Sequence, residues 1–207
     1  MATSRLVLAS GSRYRAKALR DAGYEVEVDP PSVDERALDP LFAEDPQRMA
    51  LELAQLKAAD VAPRHPGATV LAGDQVGVLM TDDGPRQLTK QPSEEGAVEQ
   101  LRAMSGTTHH LVNGLVLVRT GSDGAVQRSI GGLDVQQVTM RPFTREEAIA
   151  YVRRFEPFDS AGSYRLEDQD EMAPEERFVV DVRGEDPSGV LGLPLPLLSR
   201  LLEELDS

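Results

Sequence analysis

Leu6-Val-Leu-Ala9, then Ser10-Gly-Ser12, then Arg13-Tyr-Arg-Ala-Lys-Ala-Leu-Arg-Asp-Ala22 and Gly23 read as one strand, one turn and one helix. The first four residues are a short apolar run, the pattern of a buried strand. Small residues break it at 10–12. Residues 13–22 then space Ala16, Leu19 and Ala22 along one helical side, and Gly23 stands where a left-handed cap is expected. A strand that feeds a helix through a small-residue turn is the opening unit of an α/β sheet. Its turn also suits an anion, because backbone N–H groups and the positive helix end face it, with Ser10 and Arg15 as further donors. An ordinary Ser-capped helix with solvated arginines fits the same residues.

Working outward, residues 24–28 alternate like a strand with Val26 and Val28 on one face, and a Pro-Pro turn follows. Asp45-Pro46 reads as a helix start with Pro at the first position. Met49, Leu53 and Leu56 line one face of that helix to about residue 62. Residues 69–72 are a second buried strand, closed by Gly73-Asp74; residues 76–80 continue extended, and Asp82-Asp-Gly84 signals a hairpin. Ser93 caps a helix with Val98 and Leu101 inward, ending near Ser105-Gly106. Residues 111–119 and 133–140 form the clearest strand pair, around a Gly-rich turn at 121–124. Thr144 opens a helix as the first member of a Thr-Arg-Glu-Glu capping box. A last strand at 178–182 and a terminal helix at 196–205 complete a mixed α/β sheet flanked by helices.

The chain has 207 residues, 40% of them hydrophobic. That is enough for one compact domain over residues 1–207. Its prolines and glycines are spread as turns, and no linker or internal repeat divides it. The formal net charge of −13 opposes a nucleic-acid scaffold role, although a few Lys and Arg converging on a cleft can still hold a small anion. The chain has no cysteine, which removes disulfides, thiolate metal sites and Cys nucleophiles. The start, MATSRLVLAS, lacks the basic region and apolar run of a leader. No apolar run is long enough to span a membrane. A cytoplasmic location, with neither membrane nor nucleic acid as partner, is the expectation.

Several residues could carry chemistry. Asp34-Glu35 follows the Pro-Pro turn, and Asp74 closes a buried strand, the end at which open α/β sheets place reactive groups. Carboxylates there can hold Mg²⁺ with most of its waters, or take a proton from one of them. A solvated loop charge and a turn aspartate are the plainer readings. Lys57 lies beside Leu56 in an apolar helix and Lys90 in a loop; isolated lysines are usually solvated. Three histidines show no helical metal spacing, so no zinc site is expected. There is no G-x-S-x-G elbow and no P-loop.

In order along the chain stand LASGSRYRAKAL, VDE, LAQLKA, AGDQV, a Lys before a helix, MSG-x-x-H, FDSAGSYRLED and GVLGLPLPLL. Together, from about residue 6 to residue 202, they closely resemble the Maf family of nucleotide pyrophosphatases. The resemblance implies a twisted mixed sheet flanked by helices, two lobes around a central cleft, related to the ITPase fold and often dimeric. It implies a small nucleoside triphosphate as substrate, cut to monophosphate and pyrophosphate. Ser10, Arg15, Lys57 and Lys90 are then expected to bind phosphates. Asp74 is the expected proton acceptor from water, and Glu35 with Asp74 the expected ligands of Mg²⁺ or Mn²⁺.

Within that family the chain is similar to the 7-methyl-GTP subgroup. Tyr14 stands where that subgroup has an aromatic residue and dTTP/UTP-type members have Arg; Gln75 and Glu167 stand where those members have Thr and Gln. A glutamate can accept from the N1–H and amino group of a guanine edge, and both a carboxylate and an aromatic face favour a cationic base. Arg13 replaces a usual Pro, Ala16 a common second Arg, Tyr14 a Trp, and Pro92 falls one place late after Lys90. Asp168 stands where Gly is normal, where its side chain could reshape the pocket or add a carboxylate beside the base. A dTTP/UTP-type enzyme and a nucleotide-binding division regulator are the competing readings.

Overall fold

The computed structural model describes residues 5–207; residues 1–4, which open the segment read above for a leader, lie outside the described residues. The elements run β1 (Arg5–Ala9), α1 (Arg13–Asp21), β2 (Val26–Val28), α2 (Leu41–Glu44), α3 (Pro46–Val61), β3 (Ala68–Thr81), β4 (Gly84–Leu88), α4 (Glu94–Met104), β5 (Thr108–Thr120), β6 (Val126–Met140), α5 (Arg145–Phe155), β7 (Val179–Arg183) and α6 (Leu195–Asp206). The sheet has seven strands in the order β2-β1-β3-β5-β6-β7, with β4 also paired to β3. Ladders β1–β2 and β1–β3 are parallel, whereas β3–β4 and β6–β7 are antiparallel. The mixed α/β sheet expected from the sequence is therefore present. No helix among the described residues is long and apolar enough to cross a membrane.

The chain forms two compact units. The first takes the residues through Gln75, Val112–Asp134 and Glu185–Ser207; the second takes Val76–Leu111 and Val135–Gly184. In the first unit the alternation of β1 explains why its run is apolar throughout. Leu6 and Leu8 enter a core with Ala16 and Leu19 of α1 and Leu197, Leu198, Leu201 and Leu205 of α6. Val7 and Ala9 enter another with Ala54, Ala58 and Val61 of α3. A strand covered on both faces reads as a continuous apolar run. Gly114 on β5 lets α3 approach: a Cβ there would lie 2.4 Å from the Ala50 carbonyl oxygen.

In the second unit β3 turns into β4 through Thr81 and Gly84, as the hairpin signal predicts. The Thr144 capping box is present at the start of α5. Phe143 stacks on Phe178 with centroids 4.1 Å apart, and Tyr151 packs beside Phe155 and Phe178.

Three readings of the sequence need correction. β3 is not closed by Gly73-Asp74 but runs unbroken from Ala68 to Thr81. Its ladder with β1 ends at Ala72 and that with β4 begins at Gly77, so Asp74 sits in mid-strand outside both ladders. On α3, Met49 and Leu53 face inward as expected but Leu56 does not: Lys57 is 7% exposed while Leu56 is 36% exposed, because the inner stripe runs through Met49, Ala50, Leu53, Ala54, Lys57, Ala58 and Val61. β6 begins at Val126, seven residues earlier than its apolar pattern starts, since its first half has only exposed and half-buried positions and carries Gln127, Arg128, Ser129 and two glycines.

Candidate active site

The β1–α1 turn builds the first part of the site. Ser12 caps α1 by accepting the Arg15 amide, and the buried Ser10 hydroxyl accepts the Ser12 amide at 3.2 Å. Arg15 extends from the first turn of α1. Its Nε donates to the Gly192 carbonyl and its Nη1 to the Gly73 carbonyl, each at 2.8 Å, and Nη1 also reaches Ser10 Oγ at 3.4 Å. Burial lowers the Arg15 pKa, and the charges of Asp74 and Glu35 raise it in opposition. Nη2 makes no hydrogen bond among the described residues, so its in-plane N–H donors remain for an anion. Gly192 accepts this approach with φ of +80°, a conformation glycine adopts without steric cost.

The second part is a three-member charge cluster. Lys57 Nζ lies 2.5 Å from Asp74 Oδ1 and 3.1 Å from Glu35 Oε1. The Lys57 and Asp74 side chains are 9% and 13% exposed, Glu35 52%. Glu35 opens a short 3₁₀ turn over Glu35–Leu38, which Asp34 caps by accepting the Arg36 amide. A buried ammonium needs such partners, since an unpaired charge would cost several kcal/mol. The arrangement fixes one oxygen of Asp74 on Lys57 and leaves Oδ2 free of hydrogen bonds among the described residues. An oriented carboxylate with a free oxygen can accept a proton. Two carboxylates with hard oxygen donors also fit a small divalent cation that completes its shell with water and substrate phosphates. No group of three or more His, Cys, Asp or Glu side chains among the described residues could hold a metal unaided.

Gln75, on the opposite face of β3, points into the unit. Its Nε2 reaches Asn113 Oδ1 at 3.0 Å and the Gly189 and Val190 carbonyls at 3.1 and 3.2 Å. Asn113 Nδ2 in turn donates to Asp134 Oδ2 at 3.0 Å and to Gly189 at 2.9 Å. The amide of Gln75 thus fastens the 3₁₀ turn Pro187–Leu191, on whose far end Arg15 also holds. Tyr14 on α1 is covered by Arg13, whose guanidinium lies 5.0 Å from the ring centroid and donates to the hydroxyl at 3.1 Å.

Lys90 and Glu167 belong to the second unit. Both are exposed, and neither forms a hydrogen bond or ion pair among the described residues. Their segments, however, are held. Gln100, 2% exposed on the inner side of α4, accepts from the Thr89 amide at 3.0 Å. It donates to the Thr89 carbonyl at 2.9 Å and to Ser163 Oγ at 2.8 Å. Ser163 is one of two non-glycine residues with positive φ among the described residues, and this bond pins it. The sequence carried a signal for Gln100 that the reading missed: a polar residue among Ala97, Val98, Leu101 and Met104 on the buried face.

The family described as Maf-like protein matches residues 5–205. The 7-methyl-GTP pyrophosphatase of Nitrosococcus oceani is 37% identical over 199 residues, covering 96% of this chain and 92% of that protein. The 7-methyl-GTP pyrophosphatase of Cupriavidus pinatubonensis is 39% identical over 201 residues, covering 97% and 92%. Among solved structures, a HAM1 protein from Coxiella burnetii aligns with a TM-score of 0.43 and 13% identity, covering 67% of this chain and 73% of that one.

Proposed function

The chain belongs to the Maf-like protein family, and on that premise we propose that it hydrolyses a nucleoside triphosphate, with 7-methyl-GTP as the favoured substrate, to the monophosphate and pyrophosphate. The observation that carries this reading is the Lys57–Asp74–Glu35 cluster beside the Arg15 guanidinium, in which Arg15 is close enough to feel both carboxylates. Relatives named 7-methyl-GTP pyrophosphatases at 37% and 39% identity over nearly the whole chain support the substrate.

The reaction adds one water across the α–β anhydride. The water oxygen ends on phosphorus, its proton passes to Asp74, and pyrophosphate leaves with the electron pair of the broken bond. Lys57 keeps the Asp74 carboxylate aimed. Arg15 Nη2, Ser10 and the N-terminal amides of α1 take phosphate oxygens, and Lys90 neutralises further phosphate charge. Glu35 and Asp74 would hold a divalent cation, which supplies charge neutralisation at the phosphates. Little covalent chemistry is asked of the protein, so placement and electrostatics supply most of the acceleration. Glu167 reads the base as an acceptor for a guanine edge.

Pyrophosphate release from 7-methyl-GTP, GTP, UTP, CTP and dTTP, with Mg²⁺ or Mn²⁺ and with chelator, tests the proposal. The expected result is turnover led by 7-methyl-GTP and abolished by chelator. A lead by UTP or dTTP contradicts the substrate; no release from any of them by folded protein contradicts the activity.

A further inference from the structure

Asp168 is a buried carboxylate, 8% exposed, immediately after the exposed Glu167 in the 3₁₀ turn Glu167–Glu171. A single 3₁₀ turn has little stability of its own, so its side chains must fix its place. Two of them do. The Tyr151 hydroxyl on α5 donates to Asp168 Oδ2 at 2.5 Å and accepts the Arg165 amide at 3.0 Å. Arg165 Nη1 donates to Asp168 Oδ1 at 3.2 Å, and the same guanidinium also holds Asp159 and the carbonyls of Phe155 and Glu156. Next along the turn, the Gln169 carboxamide oxygen accepts the amides of Phe178 and Val179 at 2.8 and 3.2 Å. The inner face of the turn is thus fastened to α5 and to the start of β7, and Glu167 is left on the outer face.

This placement overturns one expectation from the sequence. Of the two roles the sequence offers Asp168, reshaping the pocket or adding a carboxylate beside the base, the second does not fit a side chain turned inward onto Tyr151 and Arg165. Burying a carboxylate is unfavourable unless it is hydrogen-bonded and paired, and both conditions are met. Burial together with the Asp168 carboxylate pushes the Tyr151 phenol upward in pKa, so the hydroxyl stays protonated and donates.

We propose that Asp168 is a specificity-determining positioning residue, which holds the Glu167 turn in register through Tyr151 and Arg165. The proposal rests on the reading of Glu167 as the residue that recognises the base. A glycine at 168 would remove both bonds and add backbone freedom, loosening the aim of Glu167 while leaving the hydrolytic cluster of the first unit untouched.

The test is steady-state kinetics on 7-methyl-GTP and UTP for the native chain and four variants: Asp168→Gly, Asp168→Asn, Tyr151→Phe and Glu167→Gln. The ratio of kcat/KM for 7-methyl-GTP over UTP should fall about tenfold in Asp168→Gly and Tyr151→Phe, the size expected from one lost charge-assisted hydrogen bond. The loss should lie in KM for 7-methyl-GTP, with kcat held. Asp168→Asn keeps an acceptor for the Tyr151 hydroxyl and should recover most of the ratio. If Asp168→Gly does not fold, Tyr151→Phe decides alone. An unchanged ratio in Tyr151→Phe and Asp168→Gly, alongside a collapsed ratio in Glu167→Gln, overturns the proposal and spares the reading of Glu167. Equal losses on both substrates also overturn it, because they mark a purely structural role. A ratio that Glu167→Gln leaves unchanged overturns both.

Discussion

The site residues of the first unit and those of the second are held in different ways. Lys57 is bonded to two carboxylates, Arg15 to two carbonyls and Gln75 to an amide and two carbonyls. Each is fixed by its own contacts. Lys90 and Glu167 have no protein partner among the described residues, yet the segments that carry them are tied down by buried neighbours, Gln100 and Asp168. On the proposed reading the difference suits the tasks. Lys57 and Arg15, which would act at the phosphates, gain from being locked before substrate arrives, whereas Lys90 and Glu167 keep their hydrogen-bonding capacity free for substrate and need only a steady platform.

That contrast can be broken at several points. Lys57→Met removes the ammonium that orients Asp74 and should lower turnover by about 10²–10³-fold, the range for loss of one preorganised electrostatic group; a rate within tenfold of native would show that the cluster is not the engine. A second effect concerns the platform of the second unit. His109 is fully buried there, beside Tyr164, and burial first, then the His110 charge, lowers its pKa to about 4. The unfolded imidazole takes its proton near 6.5, the native one only near 4. Stability is therefore complete above 6.5 and lost as pH falls through that window, by about 3 kcal/mol in all. Urea unfolding of native protein and His109→Gln at pH 7 and pH 4 should show that difference between them; parallel pH curves would contradict it.

Gln100→Leu should cost about 1–3 kcal/mol, because the hydroxyl of buried Ser163 loses its partner, and should raise KM with kcat preserved. A fall in kcat with unchanged KM would place Gln100 with the locked group instead. The smallest effect is expected at Arg13→Ala. Uncovering the Tyr14 ring should lower KM for 7-methyl-GTP by the factor that about 0.5–1 kcal/mol of exposed cation–π contact allows. An unaltered KM would detach Tyr14 from base recognition.

Much of this was legible in the sequence, and the failures have physical causes. The strand–turn–helix at 6–23 was readable because a short apolar run, a small-residue break and helical spacing are local. So were the Thr144 box and the hairpin at Asp82-Asp-Gly84. Lys57 was readable as a site residue only through the family resemblance, because the apolar pattern of α3 favoured Leu56 as inward. The inner stripe mixes Met49, Leu53 and Val61 with alanines, and the partners that make a buried Lys57 tolerable, Asp74 and Glu35, are remote in the chain. Asp74 was read as a strand terminus since Gly73 looks like a break, whereas β3 continues by changing partners. Asn113 interrupts the apolar run of β5, a signal that could have been used; its partners Gln75 and Asp134 are 38 and 21 residues away, beyond any periodicity. The inward turn of Asp168 likewise required knowing where α5 would lie.

The most direct test of the account is Asp74→Asn, with 7-methyl-GTP binding by calorimetry and pyrophosphate release measured on the same preparation. The account predicts that binding survives, because Arg15, Ser10 and the α1 amides remain, while release falls by about 10²–10⁴-fold, the contribution of a positioned base. Release at a near-native rate would contradict it and remove Asp74 from the chemistry.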